Sequence, residues 1–306
     1  MESSDFFGNN IEILIYFTLF QLISYGSASE ERMLRSVFEN EKIEFFGVLP
    51  FDVCHCRRSD LIERKGVSAE EIRSAVVFLV PYYVNGEAGN ISLYARSGDY
   101  HFYCDALFER LLPAMEERFG GRFIGFADKS PIEENIAAAK AGLGVLGDNY
   151  MLINEKYGSL VFIAEILSTV PPEELGFSGE AAQVRGCLHC GACKRACPAQ
   201  SHGGECLSAL TQKKGELTPE QEEYIREYGS VWGCDLCQTS CPMTKKAIES
   251  GVCTPIAFFK EDRISNLTEE ILNGMSKEEF RFRAFSWRGK QTLLRNLALF
   301  SQKNNT

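Results

Sequence analysis

Eight of the twelve cysteines in this chain of 306 residues fall between Cys187 and Cys241, and their spacing restricts the fold more than any other feature. Cys187, Cys190, Cys193 and Cys197, followed by Pro198, match Cys-x2-Cys-x2-Cys-x3-Cys-Pro. In bacterial ferredoxins three thiolates of such a run reach one 4Fe-4S cubane from a tight loop, and the fourth ligates the other cluster. A second run, Cys234, Cys237, Cys241 and Pro242, repeats the last three positions but has Val231 where its first cysteine would stand. Cys206 is the natural substitute. The set then closes as two 4Fe-4S clusters: Cys187, Cys190, Cys193 and Cys241 for one, Cys197, Cys206, Cys234 and Cys237 for the other. Structural zinc also uses paired Cys-x2-Cys, but it needs neither the Cys-Pro endings nor a ligand that crosses between runs.

Metal-type spacing favours a reducing, cytoplasmic setting over a disulfide framework. Cys54, His55 and Cys56 are too few ligands for a site, and Cys104 and Cys253 read as core fillers. A formal net charge of -10 argues against a surface built for broad phosphate binding, so any nucleic-acid partner must meet a local patch. The apolar stretch "IEILIYFTLFQLIS", residues 11 to 24, is shorter than the roughly 20 residues that span a bilayer. It also has no Lys or Arg before it, so it lacks the basic flank of a secretory signal. No membrane association is expected, and residues 1–32 stand apart as an extension that precedes Met33.

Downstream, apolar runs alternate with helical patterns, which favours an α/β (α+β) domain. "SAVVFLVPYY", "RFIGFAD" and "SLVFIAEILSTV" read as strands. "YHFYCDALFERLLPAMEERFG" reads as a helix closed by Gly120 and Gly121, and "PIEENIAAAKAG" as one that starts at Pro131. The turn-rich "PPEELGFSGEAAQ" marks a boundary, giving an α/β domain over 33–178, a ferredoxin-like domain over 179–250 and a helical tail over 251–306. "GLGVLG", Gly142 to Gly147, satisfies the dinucleotide fingerprint, but a helix precedes it and an extended segment follows, the reverse of what that fingerprint needs. A helix C-cap turning into a strand, or a close approach to a bulky ligand, remains open for it.

"YARSGDYH" (94–101), "ADKSPIEENIAAAKAGLGVLGDN" (127–149), "YGSLVFIAEI" (157–166), "CLSALTQKKG" (206–215) and the cysteine set together resemble the epoxyqueuosine reductase family over roughly residues 40–250. The resemblance implies an N-terminal cobalamin-binding domain followed by a double 4Fe-4S domain that relays electrons to the cobalamin. It also implies a tRNA substrate and an external low-potential electron donor. The family's acid maps onto Asp128, whose position at the end of an apolar strand would raise its pKa and keep a proton available; an N-cap for the following helix is the alternative. Cobalamin contacts map onto Gly147, Asn149, Leu152 and Ser208, and the RNA approach onto Lys213 and Lys214, with a second basic group at Arg281, Arg283, Arg288, Lys290 and Arg295. Two departures stand out: Asp148 replaces the family's lysine, and only a fragment near "LLRNLAL" resembles the family's longer helical extension. A corrinoid reductase of a small molecule and a plain electron carrier are the competing functions.

Overall fold

The computed structural model describes residues 30–86 and 88–301; the apolar stretch at 11–24 and the rest of residues 1–29 lie outside them. The chain forms two compact units. One runs to Val80 and resumes over Cys104–His189, and the other comprises Pro81–Tyr103 and everything from Cys190 onward.

The first unit is built on a four-stranded sheet of order β1-β2-β6-β3: β1 (Phe46–Pro50), β2 (Ser74–Pro81), β3 (Phe123–Ala127) and β6 (Val161–Ser168). β1 pairs antiparallel with β2, and β3 antiparallel with β6, so the architecture is α+β and not a parallel doubly wound sheet. Every residue of β2 is buried, the pattern of a strand covered on both faces. Leu34 and Phe38 of α1 (Glu30–Asn40) are fully buried, with Phe38 packed on Phe78. Phe108 of α3 (Tyr100–Phe119) also meets Phe78 edge-on. Short α2 (Ser59–Glu63) and α4 (Glu134–Lys140) join the other core, where Ala137, Ala138 and Ala139 pack with Leu49, Val77, Leu79, Phe126 and Leu167. Glycine is required at position 47 because a Cβ there would stand 2.6 Å from the Ala141 carbonyl oxygen.

α4 begins at Glu134, not at Pro131 as the sequence suggests, because Pro131 is tied into the neighbouring segment: its carbonyl accepts from Arg57 N at 2.8 Å. The helix ends in a Schellman closure, with Leu143 N on the Ala138 carbonyl and Gly142 N on Ala139, and Gly142 at φ 76°. "GLGVLG" is therefore a helix stop that feeds a hairpin, β4 (Val145–Leu146) and β5 (Leu152–Ile153).

The linear division expected at residue 179 is not the one observed. Pro172 and Leu175 are buried and Ala182 N donates to the Lys140 carbonyl, so the turn-rich segment belongs to the first unit. The second unit instead takes in residues 81–103, whose Ile91 and Ala95 share a core with Val231, Trp232, Leu267, Phe285 and Leu293. The tail is part of that core and not a separate domain. Its elements are α5 (Ala192–Ala196), α6 (Leu207–Thr211), α7 (Pro219–Tyr228), α8 (Leu236–Thr239), α9 (Pro242–Glu249), α10 (Glu269–Gly274), α11 (Lys277–Arg281) and α12 (Lys290–Ser301). Among the described residues, no helix is long and apolar enough to cross a membrane.

Asn296 fastens α12 in place. It is fully buried, and its side-chain amide donates to the carbonyls of Thr211 at 2.7 Å and Val231 at 2.8 Å. Asn296→Ala leaves two buried carbonyls without a donor, at a cost of about 1–3 kcal/mol each if water does not replace it. Urea denaturation is expected to show a lower midpoint for this variant, and an unchanged midpoint would mean the tail does not hold the unit.

Candidate functional site

Asp128 follows the last residue of β3 and adopts φ 65°, a left-handed conformation that an aspartate tolerates better than most side chains but that is uncommon outside glycine. It does not cap α4: Glu133 is the N-cap residue and no side chain closes that end, while Ser130 Oγ takes the nearby Ile132 N–H at 3.0 Å. The N-cap alternative for Asp128 is therefore set aside.

Two further carboxyls lie beside it that the sequence reading passed over. Glu165 sits in the middle of β6 opposite Phe126 of β3, on the strand face that carries Leu167 toward α4, and is completely buried. Glu134 opens α4. Both oxygens of Glu165 and Oε2 of Glu134 are enclosed without a hydrogen-bond partner. The Ser130 hydroxyl, although close enough to favour ionisation of Glu165, donates to the Ile132 carbonyl at 2.9 Å. Burial raises the Glu134 pKa to about 7, helped by the charge of Asp128. Burial, then the charge of Glu134, pushes Glu165 well above the carboxylate range. A single acidic residue inside the apolar run "FIAEIL" was the available signal.

The hairpin tip carries the sequence-predicted cofactor contacts of this unit. Gly147 N donates to the Met151 carbonyl at 2.8 Å, and a Cβ on Gly147 would strike Asn149 Oδ1 at 2.4 Å. Asn135, next to Glu134, donates to the Tyr150 carbonyl at 3.1 Å and ties the tip to the start of α4. Tyr150 and Met151 are 77% and 39% exposed. Exposed apolar side chains beside the Asn149 and Asn135 amides are of the residue types that a large ring with polar edges would meet. Leu152 is different: its side chain is 3% exposed within the sheet core, so only its backbone is available to a ligand. Ser208 lies in the second unit, on α6, where its carbonyl accepts from Thr211 Oγ1 and Gln212 Nε2.

The first cysteine of the set is delivered by strand addition. Leu146 N donates to the Arg185 carbonyl at 2.8 Å and Cys187 N to the Leu146 carbonyl at 3.0 Å, extending the hairpin by a parallel bridge to Gly186. His189 Nδ1 then lies 2.8 Å from Asp148 Oδ1. Asp148, Cys187 and His189 bring ligand-type atoms within 4.8 Å of one another. The acidic residue where the family has lysine thus has its own partner on the cysteine run.

In the second unit, Cys197, Cys206 and Cys241 each stand immediately before a helix, and Pro198 and Pro242 fill the first helical position, where a missing N–H costs nothing. Cys206 and Cys237 both act on Cys234, whose pKa is raised to about 11 by burial foremost. Cys197, Cys206 and Cys234 all bear on the buried Tyr224 hydroxyl, whose pKa rises mainly through burial. Thiols that act on a common neighbour in this way are of the residue type that iron-sulfur clusters take as thiolates. Around the other set, Ser240 Oγ donates to the Ala192 carbonyl at 3.5 Å, joining the neighbours of Cys241 and Cys193. Val231, at the position where the second run lacks a cysteine, is fully buried in the apolar core.

The insertion at 81–103 braces this run. Val231 N donates to the Asn90 carbonyl and Ser92 N to Trp232, while Asp235 accepts from Ser92 Oγ and Leu93 N. Gly233, at φ 75°, is required because a Cβ would meet Ser92 Cβ at 2.4 Å. A cleft of about 650 Å³ opens beside Cys234, lined in part by Asn90, Leu93, Tyr228 and Lys245.

The basic residues divide. Arg295 donates to the carbonyls of Lys213 and Gly215, Lys290 to Leu272 and Met275, and Arg283 to Asp262, so these three hold the fold. Lys213 and Lys214 are exposed, Arg281 is exposed, and Arg288 lies 3.6 Å over the ring of the exposed Trp287. The triplet Cys54, His55, Cys56 is no site: Cys54 is in the core, with a thiol pushed up to about 12 by burial, and Cys56 is exposed. Cys104 is a core residue as expected, whereas Cys253 is only partly buried and accepts from Asn85 N.

Fold and site define an α+β protein with an acid at a strand end and a ferredoxin-type cysteine module. No family model matches the chain. It is 36% identical to the epoxyqueuosine reductase of Leadbetterella byssophila over 56% of this chain and 58% of that one. It is 29% identical to that of Cyclobacterium marinum over 72% and 75%, and 30% identical to that of Pseudomonas aeruginosa over 75% and 63%. The chain thus spans less than two thirds of the length of two of these relatives. Its fold is that of epoxyqueuosine reductase from Streptococcus thermophilus, with a TM-score of 0.68 at 21% identity over 90% of this chain and 81% of that one. A structure of epoxyqueuosine reductase with an epoxyqueuosine-modified tRNA-Tyr stem loop gives a TM-score of 0.67 at 21% identity over 89% and 81%. The chain is similar to epoxyqueuosine reductases in sequence and shares their fold.

The carboxyl pair has a stability signature. Glu134 binds its proton more tightly folded than unfolded, so the stability this proton confers is complete below pH 4.5 and is lost as pH rises through about 7. Between pH 4.5 and 8 the loss is on the order of 3 kcal/mol. Glu134→Gln is expected to flatten that part of the pH–stability curve, measured by urea denaturation, and a curve parallel to that of the unsubstituted chain would mean Glu134 ionises freely.

Proposed function

We propose that this chain is an iron-sulfur and cobalamin-dependent reductase that converts epoxyqueuosine in tRNA to queuosine. The cysteine spacing carries the reading, with Cys206 as the ligand missing from the second run; it is supported by Cys206 and Cys237 both acting on Cys234. Cys187, Cys190, Cys193 and Cys241 would hold one cluster and Cys197, Cys206, Cys234 and Cys237 the other. Gly147, Asn149 and Ser208, with the backbone at Leu152, would meet the cobalamin. When bound, the clusters supply electrons one at a time and the cobalamin supplies a metal that acts on the epoxide.

The overall change is a two-electron reduction: both C–O bonds of the epoxide break, a C=C bond forms, and the oxygen leaves as water with two protons. Asp128 is the proton donor. Its strand-end position holds the carboxyl at one place, and the left-handed backbone keeps it there. An external low-potential donor delivers the electrons, and the cleft beside Cys234 gives it access to the second set. The RNA meets Lys213 and Lys214, both of which are exposed.

Anaerobic reconstitution tests this reading. The chain is expected to take up about eight irons and eight sulfides and to show corrinoid absorption; Cys206→Ala is expected to lose about four irons. Asp128→Asn is expected to keep both cofactor types and to lose turnover of an epoxyqueuosine stem loop by about 10²-fold or more. A chain that binds no corrinoid, or an Asp128→Asn variant at full rate, would contradict the assignment.

A further inference from the structure

The reaction proposed above consumes two protons per epoxide, and a single carboxyl at the strand end holds one. We propose that Glu134 and Glu165 form a buried acid pair from which Glu134 returns the second proton to Asp128. The inference rests on the reductase reading for its reaction, and on the structure of the first unit for its residues.

The geometry sets the two carboxyls apart from structural acids. Glu165 is completely buried in the strand next to the one that ends at Asp128, and Glu134 opens the helix that covers that face. Three of their four oxygens have neither water contact nor a hydrogen-bond donor, although carboxylates in folded proteins are ordinarily hydrogen-bonded. An unpaired buried carboxylate is so costly that such a group keeps its proton. The charged and titratable groups around the pair do not relieve it. Asp128 brings negative charge from the β3 end and Cys54 a neutral thiol from the segment after β1. Lys140 of α4 donates to the Val53 carbonyl at 2.6 Å, and Asp52 and Cys56 act on Cys54. Arg57, on the segment that pairs with Pro131, makes its ion pair with Glu133 at 2.7 Å. Ser130 donates to Ile132.

The step balances as a proton transfer. Once Asp128 has given up its proton it is a carboxylate; the Glu134 O–H bond breaks, an O–H bond forms on Asp128, and Glu134 takes the charge. Glu165 keeps its own proton, so the pocket carries one negative charge and not two. Glu134, partly covered and not sealed, recovers a proton from solvent.

Infrared titration of the full chain, with and without cofactors, reads the pair independently of activity. Two bands of protonated, buried carboxyl are expected at low pH; the first is lost as pH passes about 7, and the second is held by its deeper burial. Glu134→Gln removes the first and Glu165→Gln the second. In the reconstituted enzyme, Glu134→Gln is expected to lower kcat on the stem loop by about 10²-fold near neutrality, with KM unchanged, and to abolish the decline of kcat above pH 7. Glu134→Asp, which keeps an acid, restores much of the rate; equal iron and corrinoid content shows that each variant has folded. Absence of a protonated carboxyl in the unsubstituted chain at pH 6, or a Glu134→Gln variant with the original kcat and pH profile, overturns the proposal. If the infrared bands are present and the loaded chain leaves the epoxide intact, the reductase reading and the proton transfer fall together while the acid pair stands.

Discussion

An unpartnered carboxyl in the middle of an apolar sheet is the constraint around which the first unit is arranged. Replacing Glu165 by an aliphatic side chain of similar size would suit the core of Leu167, Phe126 and the α4 alanines better. The chain instead keeps an acid there, places a second acid on the covering helix, and sets a third on a left-handed residue at the adjoining strand end. The charge of Asp128 raises the proton affinity of Glu134, and that of Glu134 raises the proton affinity of Glu165. A purely structural core has no use for such an arrangement; proton chemistry does.

On the proposed reading the second unit has a different problem, which is to present thiols from two runs without a preformed sheet. It does so with helix starts. Cys197, Cys206 and Cys241 each precede a helix, so backbone geometry fixes the direction of each Cα–Cβ bond before any metal arrives. The insertion at 81–103 and the tail at α12 then clamp the loop that carries Val231, Trp232 and Gly233 from either side. Metal binding to ligands held this way is not charged with ordering the whole loop.

Local features were legible in the sequence. β2, β3, β6 and α3 follow from apolar runs and helical spacing, because each depends on residues close together in the chain. What the sequence did not disclose depends on long-range contact. Nothing within 81–103 announces that Asn90 and Ser92 hold Val231 and Trp232, and the pattern of the tail does not say that Asn296 reaches Thr211. Arg295 and Lys290 look like surface charges until their carbonyl partners are seen. Leu152, a cofactor contact by motif, turns its side chain into the sheet core, a contact that exists only in the folded unit. Glu165 was in view as one acid among apolar residues, but its burial and its proximity to Glu134 exist only in the folded unit.

The account stands on this chain reducing a modified tRNA base, and one measurement tests that directly. In cells lacking any other epoxyqueuosine reductase, expression of this chain is followed by nucleoside mass spectrometry of their tRNA. The account predicts that epoxyqueuosine is replaced by queuosine, one oxygen lighter. Persistence of epoxyqueuosine in cells whose expressed protein carries its iron, sulfide and corrinoid would contradict it.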